Sequence, residues 1–298
     1  MTDAAKGVLA IVAACVVWGL SAMFYKLLVH VPPLEVLAHR TIWSCVIFLG
    51  VLLVQGRVAL LGRALSGPKE FLMIGFAALM ISVNWFFFIS SIQIGRAVEA
   101  SLGYYIFPLV SVLFGALFFR ERLGLVQRFA VGLATLAVVV LTAGLGVAPW
   151  IALILATSFA IYGVVKKSLS VGPVVSVTAE VLLLTPIAAL VLWQAHATGG
   201  GAFGTSLGDS VLLMLSGLLT ATPLILFSYA TKRLTLVSVG LLQYLNPTLQ
   251  FLVATLVFRE LFTLWHAIAF GLIWTALALY SAAAWRQDRS ARKRSVKS

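Results

Sequence analysis

Apolar runs of roughly 18 to 24 residues follow one another along almost the whole of this 298-residue chain, and no other feature restricts its fold so tightly. At 1.5 Å of rise per residue, one such run in helical form crosses the ~30 Å hydrocarbon core of a bilayer. In lipid every backbone N–H and C=O must be paired within the protein, so only helices and closed barrels span it. The ten-residue alternating segments of a membrane β-barrel are absent from the sequence. Charged residues make up 10% of the chain and hydrophobic ones 62%, whereas a water-soluble domain carries about 25% charge. The reading is an all-α integral membrane protein of ten transmembrane helices, at about 8–29, 34–55, 71–93, 97–119, 124–144, 150–166, 173–194, 210–230, 236–258 and 263–284. The first run is longer than a signal-peptide core and lacks an A-x-A cleavage site, so it is kept as a span.

The net charge of +12 would suit nucleic acid, but its placement does not. With both termini cytoplasmic, the inside segments hold Lys6, Arg57, Arg63, Lys69, Arg120, Arg122, Arg128, Lys166, Lys167, Lys232, Arg233 and six basic residues of the tail. That makes 17, against Arg96 and Arg259 outside. This bias orients a multi-pass protein of a bacterial inner (plasma) membrane and presents a surface to anionic lipids at the cytoplasmic face. Nucleic acid is therefore not expected as a partner. Cys15 and Cys45 fall inside apolar runs and argue for neither a disulfide nor a metal. The Gly199-Gly200-Gly201 run reads as a flexible loop, because no Lys-Ser/Thr follows it as a phosphate cradle requires.

The two halves resemble each other. At an offset of 139, Pro247 falls on Pro108, Phe258-Arg259-Glu260 on Phe119-Arg120-Glu121, Tyr244 on Tyr105 and Gly271 on Gly132. Five is odd, so two five-helix repeats have opposite orientation. Inverted repeats with a binding site near the midplane are the build of many transporters. The expected division is 1–146 for the first repeat, 147–285 for the second and 286–298 for a basic cytoplasmic tail.

The sequence resembles the drug/metabolite transporter superfamily, in its EamA-type, RarD-like branch. The resemblance is carried by Val17-Trp18-Gly19, Tyr25-Lys26, His39-Arg40 with Trp43, the stretch from Glu99 through Tyr104 to Pro108, Glu121-Arg122, Gln243-Tyr244, Asn246-Pro247-Thr248 and Glu260. It implies a ten-helix carrier of small metabolites, with exporters of aromatic and other amino acids among its relatives and an association with drug tolerance. One position departs from it. RarD-like chains carry Asn before the proline in both halves, and here the first half has Phe107, which implies a more aromatic cavity on that side. The resemblance also suggests that Glu121 and Glu260 hold the inner and outer ends of the repeats together.

Polar residues within the spans are costly and usually face the bundle interior. By residue count Trp18, Asn84, Tyr104, Tyr105, Pro108, Tyr162, Gln243, Tyr244, Asn246 and Pro247 lie near mid-membrane, well away from the interfacial aromatic belts. They read either as interhelical hydrogen-bonding pairs or as the lining of a substrate cavity. Both prolines invite a kink or local opening. Toward the outer surface, Arg40 has Glu35, Glu99 and Lys26 at a similar depth. The set reads as a structural ion pair, or as a gate and clamp for a substrate carboxylate. His39 titrates near neutral pH unless it is held by a partner. Glu180 lies nearer the cytoplasmic face, within reach of Lys166, Lys167, Lys232 or Arg233.

Together these residues point to a secondary carrier working by alternating access on small metabolites, amino acids with aromatic ones among them, or else drugs and other amphipathic compounds. Without a Walker motif on any extramembrane segment, transport runs on the solute's gradient or a coupled ion, with H⁺ through Glu180, Glu99 or His39 as the candidate. No cofactor and no enzymatic activity are expected: His30, His39, His196 and His266 are scattered, and no catalytic cluster is present. A scaffold without transport would need neither the inversion nor midplane polar residues.

Overall fold

In a computed structural model, which describes residues 2–119, 124–234 and 236–295, the chain is a helical bundle. Its helices are α1 (Asp3–Leu27), α2 (Pro33–Val54), α3 (Ala59–Leu65), α4 (Pro68–Gln93), α5 (Ala97–Phe119), α6 (Leu125–Leu145), α7 (Trp150–Lys167), α8 (Pro173–Ala197), α9 (Leu207–Leu215), α10 (Leu218–Thr231), α11 (Leu236–Gln243), α12 (Leu245–Leu252) and α13 (Leu264–Ser295), with a π turn at Val253–Val257. There is no strand among the described residues, only an isolated bridge between Phe203 and Ser206. Prolines begin α2, α4 and α8, where a missing N–H costs nothing. Thr2 caps α1, its Oγ1 accepting the Ala5 N–H at 3.3 Å, and Gly146 ends α6 in the left-handed region at φ 69°.

Nine stretches among the described residues are long and apolar enough to cross a bilayer, α9 and α10 together making one of them. The stretch 236–257 is broken into α11, α12 and the π turn, so no single helix there reaches that length. Large apolar side chains such as Leu117, Phe118, Phe129, Leu190 and Trp193 are exposed on the outside of the bundle. A surface of this kind is stable in lipid. The protein is an all-α multi-pass membrane protein.

The helices pair in a definite pattern. α5 and α4 both pack along α7, while α12, α11 and α10 pack along α1; α2 pairs with α8, and α6 with α13. Close approach is made possible by glycine. A Cβ on Gly103 would lie 2.8 Å from the Ala152 carbonyl, and one on Gly19 would lie 2.6 Å from Leu249 Cβ.

The 198–206 connection is not a loose loop. Gly199 takes φ 77°, and the N–H of Gly200 returns to the Ala195 carbonyl at 2.9 Å, which turns the chain back over α2. Glu35 Oε1 then accepts the Ala202 N–H at 2.7 Å, and the Phe203 ring stacks on His39 at 5.0 Å. The glycines permit the turn, and Phe203 fixes it.

Candidate functional site

Pro108 lies in α5 and Pro247 in the stretch 236–257, and each ring crowds the carbonyl four residues earlier, that of Tyr104 or Gln243. The outcomes differ. α5 runs through Pro108 unbroken, whereas the other span parts at Tyr244. Around both prolines a cavity of about 570 Å³ opens between α1, α5, α7, α11, α12 and α13, a size that suits a small molecule. It runs from Trp18 and Tyr104 to Gly115, Lys167, Gly240 and Ser281, at the end where α5 and α7 finish and α11 begins.

Of the residues expected near mid-membrane, Trp18, Tyr104, Pro108, Gln243, Tyr244, Asn246 and Pro247 line this cavity. One wall is aromatic. Phe107 packs on Phe159 with centroids 4.7 Å apart, and Phe159 lies 6.1 Å from Tyr104 and stacks on Tyr162. The opposite wall carries the amides of Gln243 and Asn246, and Asn246 Oδ1 accepts from Gln250 Nε2 at 3.1 Å. Asn84, Tyr105 and Tyr162 lie behind the wall. Asn84 is buried; its Nδ2 donates to the Leu155 carbonyl at 2.9 Å and its Oδ1 accepts from the Tyr104 hydroxyl at 2.9 Å, which fixes that ring at the cavity. The Tyr105 hydroxyl lies 2.7 Å from Thr248 Oγ1 and ties α5 to α12. The Tyr162 hydroxyl donates to Glu180 Oε2 at 3.1 Å.

The opposite end is closed by a second set of contacts. Glu260 accepts the N–H groups of Ala97 and Val98 at 2.7 and 2.8 Å, so a carboxylate from after the π turn caps α5 and meets the positive end of its dipole. Arg259, at φ 54°, makes the turn that delivers it. Glu99 accepts the Ile151 N–H at 2.9 Å and faces Arg96 at 3.6 Å. A cavity of about 390 Å³ at this end brings Arg96, Glu99, Glu260 and His266 together. Gln93 Nε2 donates to the carbonyls of Leu28 and Val31, closing α4 on the end of α1. Glu121 lies outside the described residues.

The expected ion pair of Arg40 is not formed. Glu35 is five residues away, on another face of α2, and is occupied with Ala202; Glu99 serves Ile151. Arg40 Nε instead donates to Thr220 Oγ1 at 2.7 Å, and the guanidinium lies over the rings of Trp85 at 4.2 Å and Tyr25 at 5.7 Å. Lys26 lies 5.4 Å from the Phe258 ring. His39 is buried against Phe203 with Nε2 unpartnered. Glu180 does find a cation among those expected: Lys166 Nζ is 2.6 Å from Oε1, and Ser176 Oγ donates to the same oxygen at 2.9 Å.

Residues 5–143 match the model of the EamA-like transporter family. An uncharacterized transporter of Bacillus subtilis, YojE, is 41% identical over 93% of each chain. The protein RarD of Streptomyces exfoliatus is 41% identical over 93% of this chain and 88% of that one. The chain belongs to the EamA-like transporter family. Its RarD-like character extends to the chloramphenicol-sensitive protein RarD of Pseudomonas aeruginosa, 30% identical over 98% of each chain. A solved crystal structure with 21% identity superposes with a TM-score of 0.62 over 92% of this chain and 96% of that one, so the two share a fold. In this EamA-like chain, several residues of the cavity and of the contacts beyond it escape a reading of the sequence. Phe159 and Tyr280 look like ordinary apolar filling. Gln93, at the end of an apolar run, carries no signal of its bonds to the end of α1, and Thr220 none of its pairing with Arg40.

Proposed function

We propose that this chain is a secondary carrier of a bacterial inner membrane that exports small amphipathic metabolites, amino acids with aromatic or apolar side chains first, by alternating access. The observation that carries this reading is the 570 Å³ cavity, which reaches Gly115, Gly240 and Ser281 at one end of the bundle and is walled by the rings of Tyr104, Phe107 and Phe159 and by the amides of Gln243 and Asn246. Rings take up an apolar side chain, and amides orient a polar head. Among the described residues a single basic one, Lys167, lines it, which argues against phosphorylated cargo, since that calls for clusters of Arg and Lys.

Ten spans arranged as inverted repeats, 1–146 and 147–285, account for the helix pairing. Exchanging the halves turns the contact of α5 with α7 into that of α11 and α12 with α1, and that of α4 with α7 into that of α10 with α1. α2 with α8 and α6 with α13 map onto themselves. The distribution of Lys and Arg makes the open end cytoplasmic, with both termini on that side. The cavity then faces inward, toward the cargo of an exporter.

A second reading, export of drugs or other amphipathic compounds, draws support from the breadth of the aromatic wall and from the Pseudomonas relative named for chloramphenicol sensitivity. Counterflow in proteoliposomes distinguishes the two. Labelled phenylalanine or tryptophan accumulates against an internal pool of unlabelled amino acid, and Trp18→Ala or Asn246→Ala reduces that accumulation at least several-fold. Protein that is folded yet shows no counterflow for any amino acid, while exchanging amphipathic drugs, rejects the amino-acid reading.

A further inference from the structure

Arg40 is a full positive charge inside a helical bundle in lipid, and its residue is 5% exposed. Among the described residues no carboxylate lies within 4 Å of it. Its Nε donates to Thr220 and the Tyr25 hydroxyl lies beside the guanidinium, so the two terminal nitrogens, which form the fork that grips planar anions, meet no anionic acceptor among the described residues. The faces of Trp85 and Tyr25 offset part of the desolvation cost, but a ring face is weaker than an anion. A second group beside it is unsatisfied as well. Tyr25 is fully buried and its hydroxyl, beside the guanidinium, makes no hydrogen bond of good geometry, although buried hydroxyls are normally hydrogen-bonded. The guanidinium fork and the phenol O–H, both donors, thus lie beside each other, with no carboxylate against the guanidinium among the described residues.

We propose that Arg40 and Tyr25, with Thr220 orienting the guanidinium, form a binding site for one small monovalent anion, a solute carboxylate or a halide. One cation matches one negative charge, and a fork with a third donor matches an acceptor with several lone pairs. The site is separate from the cavity but adjoins it. Tyr25 meets Phe88 edge to face at 6.0 Å, and Phe88 meets Tyr104, a cavity residue, at 5.7 Å. One layer of rings therefore divides the anion site from the cavity, on its closed side. That the anion is the head of the cargo rests on the carrier reading above; the site itself does not.

The test measures thermal stability of the purified protein in detergent by intrinsic fluorescence, at fixed ionic strength in a sulfate background. Sodium chloride, sodium acetate or sodium benzoate replaces the sulfate stepwise. Binding to the folded state alone raises the melting temperature in a saturable way. The expected result is such a rise, with half-saturation shifted at least 10-fold in Arg40→Gln and several-fold in Tyr25→Phe. Acetate and benzoate acting without chloride identify a carboxylate site, chloride alone identifies a halide site, and all three identify a site for either. No saturable rise in the wild type, or a rise unchanged in both variants, overturns the proposal. Should Arg40→Gln not fold, Tyr25→Phe, which deletes one oxygen, decides alone. The result is independent of counterflow. Transport without an anion effect removes this site and leaves the carrier, and an anion effect without transport does the reverse.

Discussion

Glu180 shows how a charge is held inside this bundle. Its side chain is 2% exposed, and it receives Lys166, Ser176 and Tyr162, so each oxygen has a donor. Replacing one member of such a pair strands the other. Glu180→Ala is expected to cost about 3 kcal/mol, read as a lower midpoint in sodium dodecyl sulfate titration of the protein in mixed micelles. Changing Lys166 to Met as well recovers most of that loss, because a matched apolar pair needs no compensation. At the cavity, Phe107 precedes its proline as Asn246 precedes Pro247, and it adds a ring packed on Phe159. Phe107→Asn should weaken competition by tryptophan in counterflow about 2- to 10-fold, the worth of one aromatic pair, and strengthen that of polar amino acids. This contrast between walls was legible, because Phe107 precedes a proline that has its counterpart at 247. The partners of Arg40 were not. Depth along the membrane can be counted from residue numbers, but azimuth around the bundle cannot, and it was azimuth that gave Arg40 a threonine and two rings in place of a carboxylate.

Helices here approach closely where glycine permits and part where proline obliges. Gly103→Ala places a methyl group 2.8 Å from a backbone oxygen of α7, and Gly19→Ala places one 2.6 Å from Leu249 Cβ on α12. Neither neighbour is the far end of a flexible side chain, so each substitution should cost about 1–3 kcal/mol by overpacking, again as a shifted titration midpoint. Gly75→Ala, with open space around it, should be neutral or slightly stabilising through helix propensity. Pro247→Ala returns an N–H to the Gln243 carbonyl and favours a continuous helix across the Tyr244 break. If the break is a hinge, that variant keeps its fold and loses most counterflow, whereas Pro108→Ala, in a helix already unbroken, has the smaller effect. Equal effects of the two would count against a hinge at Tyr244. The prolines themselves could be read in advance. That only one of them interrupts its helix could not, because both sequences free the same carbonyl and the tertiary surroundings decide whether the helix bridges the gap.

At the scale of the molecule, the proposed repeat rests on matched prolines, glycines and Arg-Glu pairs and draws support from the exchange symmetry of the helix pairing. Such a repeat would leave open which side of the bundle is accessible, since two inverted copies are equally compatible with opening on either side. The choice lies in unequal contacts. The far end is joined by Glu260 on α5, Gln93 on the end of α1, Glu35 on the 198–206 segment and Tyr105 with Thr248, while the cavity reaches Gly115, Gly240 and Ser281 at the other end. Cysteine accessibility reads this directly, because Cys15 and Cys45 are both buried and give little background. In inside-out vesicles a membrane-impermeant maleimide should label Ser111→Cys and Ser281→Cys, which line the cavity, and these positions should stay unlabelled in right-side-out cells. Thr205→Cys, on the exposed far-side loop, should give the reverse pattern and control for sidedness. Glu260→Ala removes both bonds to α5, each charge-assisted, and so weakens the closed end without touching the cavity. It should therefore raise labelling of Ser111→Cys from outside, the direction expected if these contacts hold a two-state equilibrium in place. If Ser111→Cys is reached only from outside in the parent background, the cavity opens away from the cytoplasm and the orientation given to the bundle is reversed.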